Sequence, residues 1–194
     1  MNTITKRSLA KAFVDLLEEK PFDKITIQDI SQKAGVNRQT FYYHFLDIRD
    51  LIEWVMNTSE QEIINKNKEN IENKSWENGF IIILDEISKS KKLIYAISQN
   101  NEYSKYVTDY LLHLTFNYIY GVVVAKSKEM NVVVKEEDMI FIANFYKYAF
   151  FGVLLEWIKV NFKDDPKVIV QKLDIMIKGT LENSLSNYDQ KQRK

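Results

Sequence analysis

The chain has 194 residues, a formal net charge of zero at pH 7 and no cysteine. Its hydrophobic share of 45% and charged share of 28% are those of a soluble globular protein. The lack of cysteine excludes disulfides and thiolate metal sites, and we expect a cytoplasmic location. No uninterrupted apolar run reaches the ~18 residues of a membrane span, so we expect no membrane association.

Long helices with few breaks are predicted, because the chain has only two prolines and five glycines. The first helix is predicted over about Thr3 to Glu19, and Pro21 ends it. Its inward stripe, at helical spacing, comprises Leu9, Ala12, Phe13, Leu16 and Leu17.

A short second helix is predicted directly after Thr26. Its apolar stripe comprises Ile27, Ile30 and Ala34. Thr26, with Asp29 three residues on, approximates a capping box in which Asp replaces Glu or Gln. Gly35 is expected to end the helix, since glycine adopts the left-handed conformation at little cost. Ser31 is small where a following helix would cross.

A third helix is predicted after Asn37, which can cap it. Phe41 and Phe45, four residues apart, form its inward face. The remaining faces carry side chains that can hydrogen-bond or stack: Arg38, Gln39, Thr40, Tyr42, Tyr43 and His44. With a turn of only Gly35 and Val36, this pattern predicts a helix-turn-helix whose second helix could enter the DNA major groove. A two-helix corner inside an α-bundle is the alternative interpretation.

The first 55 residues resemble the DNA-binding domain of the TetR family of bacterial transcriptional regulators. The similarity runs through AFVDLLEEKPFDKITIQDISQKAGVNRQTFYYHFLDIRDLIEWVM, and GV-x-x-x-TFYYHF and LIEWVM are its most specific parts. The resemblance implies an all-α fold of about nine helices, with a three-helix DNA-binding domain over 1–55 and a C-terminal bundle over 56–194. It also implies a homodimer that binds a palindromic operator and releases it when a small molecule occupies the C-terminal domain.

In the family the third helix lies in the major groove, so the resemblance assigns DNA contacts to its outer residues. Arg38 can fork onto guanine and Gln39 onto adenine, while Thr40 or Tyr43 can touch a thymine methyl. Side chains expected on phosphates are Lys24, Thr26, Tyr42 and His44. One position departs from the family pattern: Ile48 stands where a backbone-gripping Lys is usual, and Arg49 beside it is the candidate replacement.

Positive charge is concentrated around these three helices even though the net charge is zero. The cluster comprises Lys6, Arg7, Lys11, Lys24, Lys33, Arg38 and Arg49. This distribution permits DNA binding without demonstrating it.

Further helical segments are predicted after the helix-turn-helix. One begins near Asp47, and another begins at Trp76 with an apolar stripe of Phe80, Ile83, Leu84 and Ile87. The next two are predicted at 103–129 and 136–162. Asp165 and Pro166 then begin a last helix, which is apolar on two sides.

A helix that is apolar on two sides needs cover on both, which indicates oligomerisation through the last two long helices. The predicted dimer interface comprises Ala149, Gly152, Val153, Glu156, Leu173 and Met176. The small residues would allow a partner helix to approach closely. A face buried within the subunit is the alternative.

Aromatic and polar side chains in the C-terminal half are candidates for a small-molecule site. The predicted ligand-binding residues are Tyr110, His113, Asn117, Phe141, Phe145 and Tyr148. Core packing is the alternative for each aromatic residue, and a hydrogen-bonded core position is the alternative for His113.

No catalytic constellation, metal motif or cofactor motif is recognisable, so we expect neither an enzyme nor a bound cofactor. We expect a ligand-responsive repressor. The stretches QTFYYHF and DLIEWVM also resemble TetR-type activators of dihydroxyacetone kinase operons, which are controlled through a protein partner. A regulator that docks a protein is therefore the alternative.

Overall fold

A computed structural model describes residues 2–72 and 76–189, and all regular structure in these two ranges is helical. A short 3-10 turn at Phe22–Lys24 accompanies ten α-helices. These are α1 (Asn2–Leu16), α2 (Ile27–Lys33), α3 (Arg38–His44), α4 (Ile48–Glu72), α5 (Trp76–Lys89), α6 (Lys91–Ser98), α7 (Ser104–Glu129), α8 (Glu136–Lys159), α9 (Pro166–Ile177) and α10 (Thr180–Asn187). The all-α prediction is confirmed.

The described residues fall into two compact units. The first lies within Met1–Glu60 and Ser90–Tyr110, and the second within Gln61–Lys89 and Leu111–Lys194. The first unit therefore combines the predicted DNA-binding segment with a later stretch of the chain that carries α6. The domain boundary between residues 55 and 56 stays a prediction.

The core of the first unit forms where α1 packs against α2 and α3. Leu9 and Phe13 of α1, Ile30 of α2 and Phe41 of α3 are fully buried. Burying each such side chain contributes roughly 1.5–3 kcal/mol to folding. The predicted inward stripe of α1 is confirmed at four positions, whereas Leu17 is only half-buried and lies in the turn after the helix.

The core of the second unit is built on the predicted stripe of α5, whose four apolar residues are all buried. The ring of Phe80 packs edge-on against Phe150 of α8, with centroids 4.7 Å apart. Gly79 allows Tyr118 of α7 to approach, because a Cβ at Gly79 would lie 2.6 Å from the Tyr118 hydroxyl oxygen. That hydroxyl donates to the backbone carbonyl of Trp76, which fixes the start of α5 against α7.

The last predicted helix is wrong in one respect, since it is two helices. The Asp165 side chain accepts a hydrogen bond from the Lys167 N–H, and Pro166 begins α9 as expected. The chain then leaves the helix at Lys178, and Gly179 adopts a left-handed φ of 74° before α10 begins. Glycine at the end of a helix permits this reversal.

Helix α8 is the one helix of residues 2–72 and 76–189 whose length and hydropathy would also suit a membrane span. Core helices of soluble proteins satisfy the same criterion. Only 28% of its most apolar 18-residue window is buried within the chain. Much of its apolar surface is therefore uncovered in the single subunit.

Candidate functional site

The first helix of the predicted helix-turn-helix is fixed at its start by a capping box, as expected. The Thr26 hydroxyl oxygen accepts the backbone N–H of Asp29 at 3.2 Å, and the Asp29 carboxylate accepts the N–H of Thr26 at 2.8 Å. The Lys20 ammonium lies 2.7 Å from the same carboxylate. The hydrogen bonds from Lys20 and Thr26 lower the pKa of Asp29 from its ordinary 3.8 to about 2.

The turn between the two helices is also as predicted. Gly35 has a φ of 71°, and the Val36 N–H donates to the Ser31 carbonyl at 2.9 Å, which completes a Schellman motif at the end of α2. The Ser31 side chain is buried where the helices meet. Asn37 then caps α3, because its side-chain oxygen accepts the Thr40 N–H at 2.8 Å.

Helix α3 has one apolar face and one exposed polar edge. Phe41 and Phe45 are buried on the inward face. Arg38, Gln39 and Tyr42 are exposed, and Tyr43 is 79% exposed. The Arg38 guanidinium donates to the Tyr42 hydroxyl at 3.2 Å. The residues predicted to contact bases therefore lie on the solvent side.

His44, at the end of α3, is half-buried. Its ring lies edge-on to Tyr43, with centroids 5.0 Å apart. Its Nδ1 is buried and has no hydrogen-bond partner among the described residues. A phosphate contact from this side chain would therefore have to come from the other ring nitrogen.

Two further cations predicted to contact DNA have different surroundings. Lys24 is 72% exposed and lies 3.4 Å from the Asp23 carboxylate. Arg49, in the first turn of α4, forms an ion pair with Glu102 and lies over the ring of Tyr103. Hydrogen bonds with Tyr103 and Glu102 raise the pKa of Arg49. The Arg49 side chain is thus occupied within the subunit, a feature that sequence reasoning did not find.

The second unit contains a cavity of about 270 Å³. Its apolar lining comes from Trp76, Ile119, Val122, Val123, Ala125, Phe150, Ile177 and Leu181, and Tyr146 also lines it. The charged residues at its wall are Glu77, Lys126, Glu129, Asp174, Lys178 and Glu182. Apolar space with a few polar groups is typical of a small-molecule site.

None of the six predicted ligand-binding residues lines this cavity. Tyr110 is buried elsewhere, and His113 and Asn117 are exposed. The other three predicted residues are exposed on α8: Phe141, Phe145 and Tyr148. Helix α8 turns this aromatic stripe towards solvent and away from this cavity, and the assignment of the stripe to a ligand site stays a prediction.

Four of the six residues predicted for a dimer interface lie on α8, and the other two lie on α9. Ala149 and Glu156 are exposed, and Gly152 and Val153 are half-buried. On α9, Met176 is 76% exposed, whereas Leu173 is buried within the subunit. A Cβ at Gly152 would meet nothing within 4 Å, so the space above it is open.

Two family models match the chain. The model described as bacterial regulatory proteins, tetR family, matches residues 9–55. The model described as a transcriptional regulator C-terminal region matches residues 74–179, which is more than half of the chain.

The chain is similar to a curated regulator and to solved structures. It is 31% identical over 103 residues to the HTH-type dhaKLM operon transcriptional activator DhaS of Lactococcus lactis subsp. lactis (strain IL1403), a match covering 52% of this chain and 54% of that protein. The chain therefore matches about half the length of this curated relative.

Two solved structures share the fold at low identity. A structure of the dihydroxyacetone kinase operon activator DhaS superposes with a TM-score of 0.73 at 21% identity, over 96% of this chain and 99% of that one. FadR from Bacillus subtilis, in complex with stearoyl-CoA, superposes with a TM-score of 0.61 at 15% identity, over 93% and 97%.

The helix-turn-helix and the family matches define a DNA-binding transcriptional regulator and not an enzyme. The chain belongs to the TetR family of bacterial regulators.

The capping box predicts a specific pH dependence of stability. Because the pKa of Asp29 is lower in the folded chain than its ordinary 3.8, its contribution to stability is present above pH 3.8 and is lost as the pH falls through about 2. Asp29→Asn should therefore lower the free energy of unfolding at neutral pH, and its deficit should shrink as the pH falls from 3.8 towards 2. Urea unfolding of both proteins over this pH series measures the difference.

The control is Asp109→Asn, which removes an exposed carboxylate whose cationic neighbour, Lys105, is 3.9 Å away. Asp109→Asn should lower the free energy of unfolding less than Asp29→Asn does at every pH. An Asp29→Asn deficit that is absent at neutral pH, or that grows on acidification, would contradict the assignment.

Proposed function

We propose that this protein is a cytoplasmic repressor that binds a palindromic DNA operator as a homodimer and releases it when a small molecule binds the C-terminal half. The observation that carries the proposal is the exposed polar edge of α3. Asn37 caps the start of this helix, and the turn before it contains Gly35, just after the end of α2. In helix-turn-helix proteins the second helix reads base edges in the major groove, so an exposed polar edge is what this function requires.

The chemistry of that edge suits direct readout of bases. The Arg38 fork matches the O6 and N7 acceptors of guanine, and the Gln39 amide matches adenine. Tyr43 and Thr40 can contact a thymine methyl group. Side chains that flank the edge and can hold phosphates are Lys24, Thr26, Tyr42, His44 and Arg49.

Dimerisation is supported by the uncovered apolar side of α8 and α9. Phe141, Phe145 and Tyr148 are each more than half exposed, and Ile175 and Met176 are exposed on α9. Several large apolar side chains exposed on one side of a helix, as on α8, are typical of an interaction surface. Gly152, one turn after Tyr148 on α8, leaves room for a second helix to approach.

A second candidate function is favoured by the similarity to DhaS, which is an operon activator. On that basis the protein would activate transcription under the control of a protein partner instead of a small molecule. Screening metabolites for release of operator DNA, followed by partner capture on purified protein, separates the two. Metabolite-driven release favours the repressor, and partner-dependent DNA affinity favours the activator.

Two substitutions should separate base reading from phosphate binding. Arg38→Ala should cost about 1–3 kcal/mol on the cognate operator and relax preference at one base position. Lys24→Ala should weaken binding to all sequences alike and reduce the salt slope by about one. Fluorescence anisotropy on the operator and on single-base variants measures both. Wild-type affinity in both variants would contradict the groove assignment.

The ion pair of Arg49 predicts that Glu102 restrains DNA binding. Glu102→Gln removes the negative partner, so Arg49 can contact a phosphate and the log–log salt slope should steepen by up to about 0.9. Salt titrations of DNA affinity measure this slope. In an Arg49→Ala background the same substitution should change the slope little. An equal steepening in both backgrounds would show that Arg49 is not the released group.

The exposed face of α8 predicts a dimer that charge can disrupt. Phe145→Glu and Gly152→Arg place charges on the face without an internal clash, and each should weaken dimerisation at least about thirtyfold, equivalent to about 2 kcal/mol. Sedimentation velocity at micromolar concentration measures the association.

The matched control is Val133→Glu, which adds a charge at another exposed apolar residue, in the loop before α8. This variant should remain dimeric. A monomeric wild-type protein, or dimers unaffected by both face variants, would rule out this interface.

A further inference from the structure

We propose that the cavity of the second unit binds a small organic cation, an alkyl- or arylammonium ion whose apolar body fills the cavity. The inference rests on the proposed ligand-controlled regulator, because it names the chemical class of the effector. Three features carry it: the apolar lining, the balance of charges at the wall, and two carboxylates without an ion pair among residues 2–72 and 76–189.

The lining sets the character of the ligand body. Trp76 and Phe150 contribute aromatic surface, and the adjoining wall is aliphatic. The Tyr146 hydroxyl is engaged, since it donates to the Thr180 hydroxyl oxygen at 2.8 Å. At about 270 Å³ the cavity lies near the lower end of ligand pockets, so it suits a compact apolar group.

The charges at the wall determine which sign of ligand charge the cavity favours. Four carboxylates and two ammonium groups line the cavity, which leaves a net charge of −2. One of the ammonium groups is already compensated, because Lys126 lies 3.2 Å from Glu129 and 3.3 Å from Glu182. Partial burial acts to lower the pKa of Lys126, but the hydrogen bonds to Glu129 and Glu182 outweigh it and raise the pKa.

The remaining carboxylates are the candidates for binding a cation. Glu77 and Asp174 line the cavity, and neither side chain has an ion pair within the described ranges. Lys178 also lines the cavity, and together with Glu77 and Asp174 it leaves a net charge of −1, so this part of the wall would attract a positive group.

This lining is a poor match for an anionic ligand. The FadR structure that shares the fold contains stearoyl-CoA, whose phosphates are negatively charged. A net negative wall opposes such groups and favours an ammonium ion with a compact apolar body. The effector class therefore differs from that of this structural neighbour.

A matched series of ligands tests the sign of the charge. Isothermal titration calorimetry of the full chain without DNA would compare n-octylammonium, n-octanol and n-octanoate, which share one chain length. An alkylamine is protonated at neutral pH, as lysine is. Octylammonium should bind at least about tenfold more tightly than octanoate, with octanol between them.

Variants then assign the effect to the cavity. Combining Glu77→Gln with Asp174→Asn should weaken octylammonium binding about tenfold or more and leave octanol binding unchanged. The control pair, Asp109→Asn with Glu137→Gln, removes two exposed carboxylates outside the lining and should bind like wild type.

Three outcomes would overturn the inference: octanoate binding as tightly as octylammonium, no binding of any of the three at millimolar concentration, or unchanged octylammonium binding in the cavity variant. The wild-type series is decisive even if that variant does not fold. DNA affinity is measured separately. Loss of the ligand preference with intact operator binding rejects only the cation site, whereas ligand binding without operator binding rejects the proposed function.

Discussion

The left-handed backbone at Gly35 is the constraint on which the DNA-binding surface depends. Its φ of 71° lets the Val36 N–H return to the Ser31 carbonyl, so α3 can cross α2 over a small buried side chain. A Cβ at Gly35 would meet nothing within 4 Å, so the requirement for glycine is conformational and not steric. A side chain there would cost roughly 1–2 kcal/mol through the backbone alone. Because Phe41 is buried in this arrangement, the opposite edge of α3 lies on the surface.

The two units divide the requirements of a regulator between them. The first unit holds a polar edge in fixed geometry through two side-chain caps, which sequence-specific recognition needs because base contacts are short-ranged. The second unit combines a cavity of mixed apolar and charged lining with an uncovered apolar helix face. A cavity suits a ligand, whereas a broad exposed face suits a second protein surface. Arg49 adds a local competition, because Glu102 and a DNA phosphate would both attract one guanidinium group.

Local rules predicted the elements that depend on neighbours in sequence. The caps made by Thr26 and Asn37 and the end of α2 at Gly35 follow from contacts within a few residues, and helical spacing alone marks the inward face of α5. The sequence did not predict which side of α8 faces the core or which distant residues pair. The aromatic spacing of Phe141, Phe145 and Tyr148 establishes that they share one side of a helix, but the same spacing suits a cavity wall or an outer face. The break at Gly179 was missed because apolar residues continue at helical spacing on both sides of it. The partner of Arg49 lies 53 residues away, beyond any local pattern.

Selection of bound sequences from random duplex DNA, using this chain, tests whether the α3 edges of two subunits read the major groove together. If the α3 edges of two subunits read the major groove, the recovered sites should share a two-fold symmetric sequence. The centres of its half-sites should lie one helical turn apart, about 10 base pairs, or a multiple of this. Recovery of no common sequence, or of a single asymmetric site without a second half, would contradict this paired reading of DNA by α3.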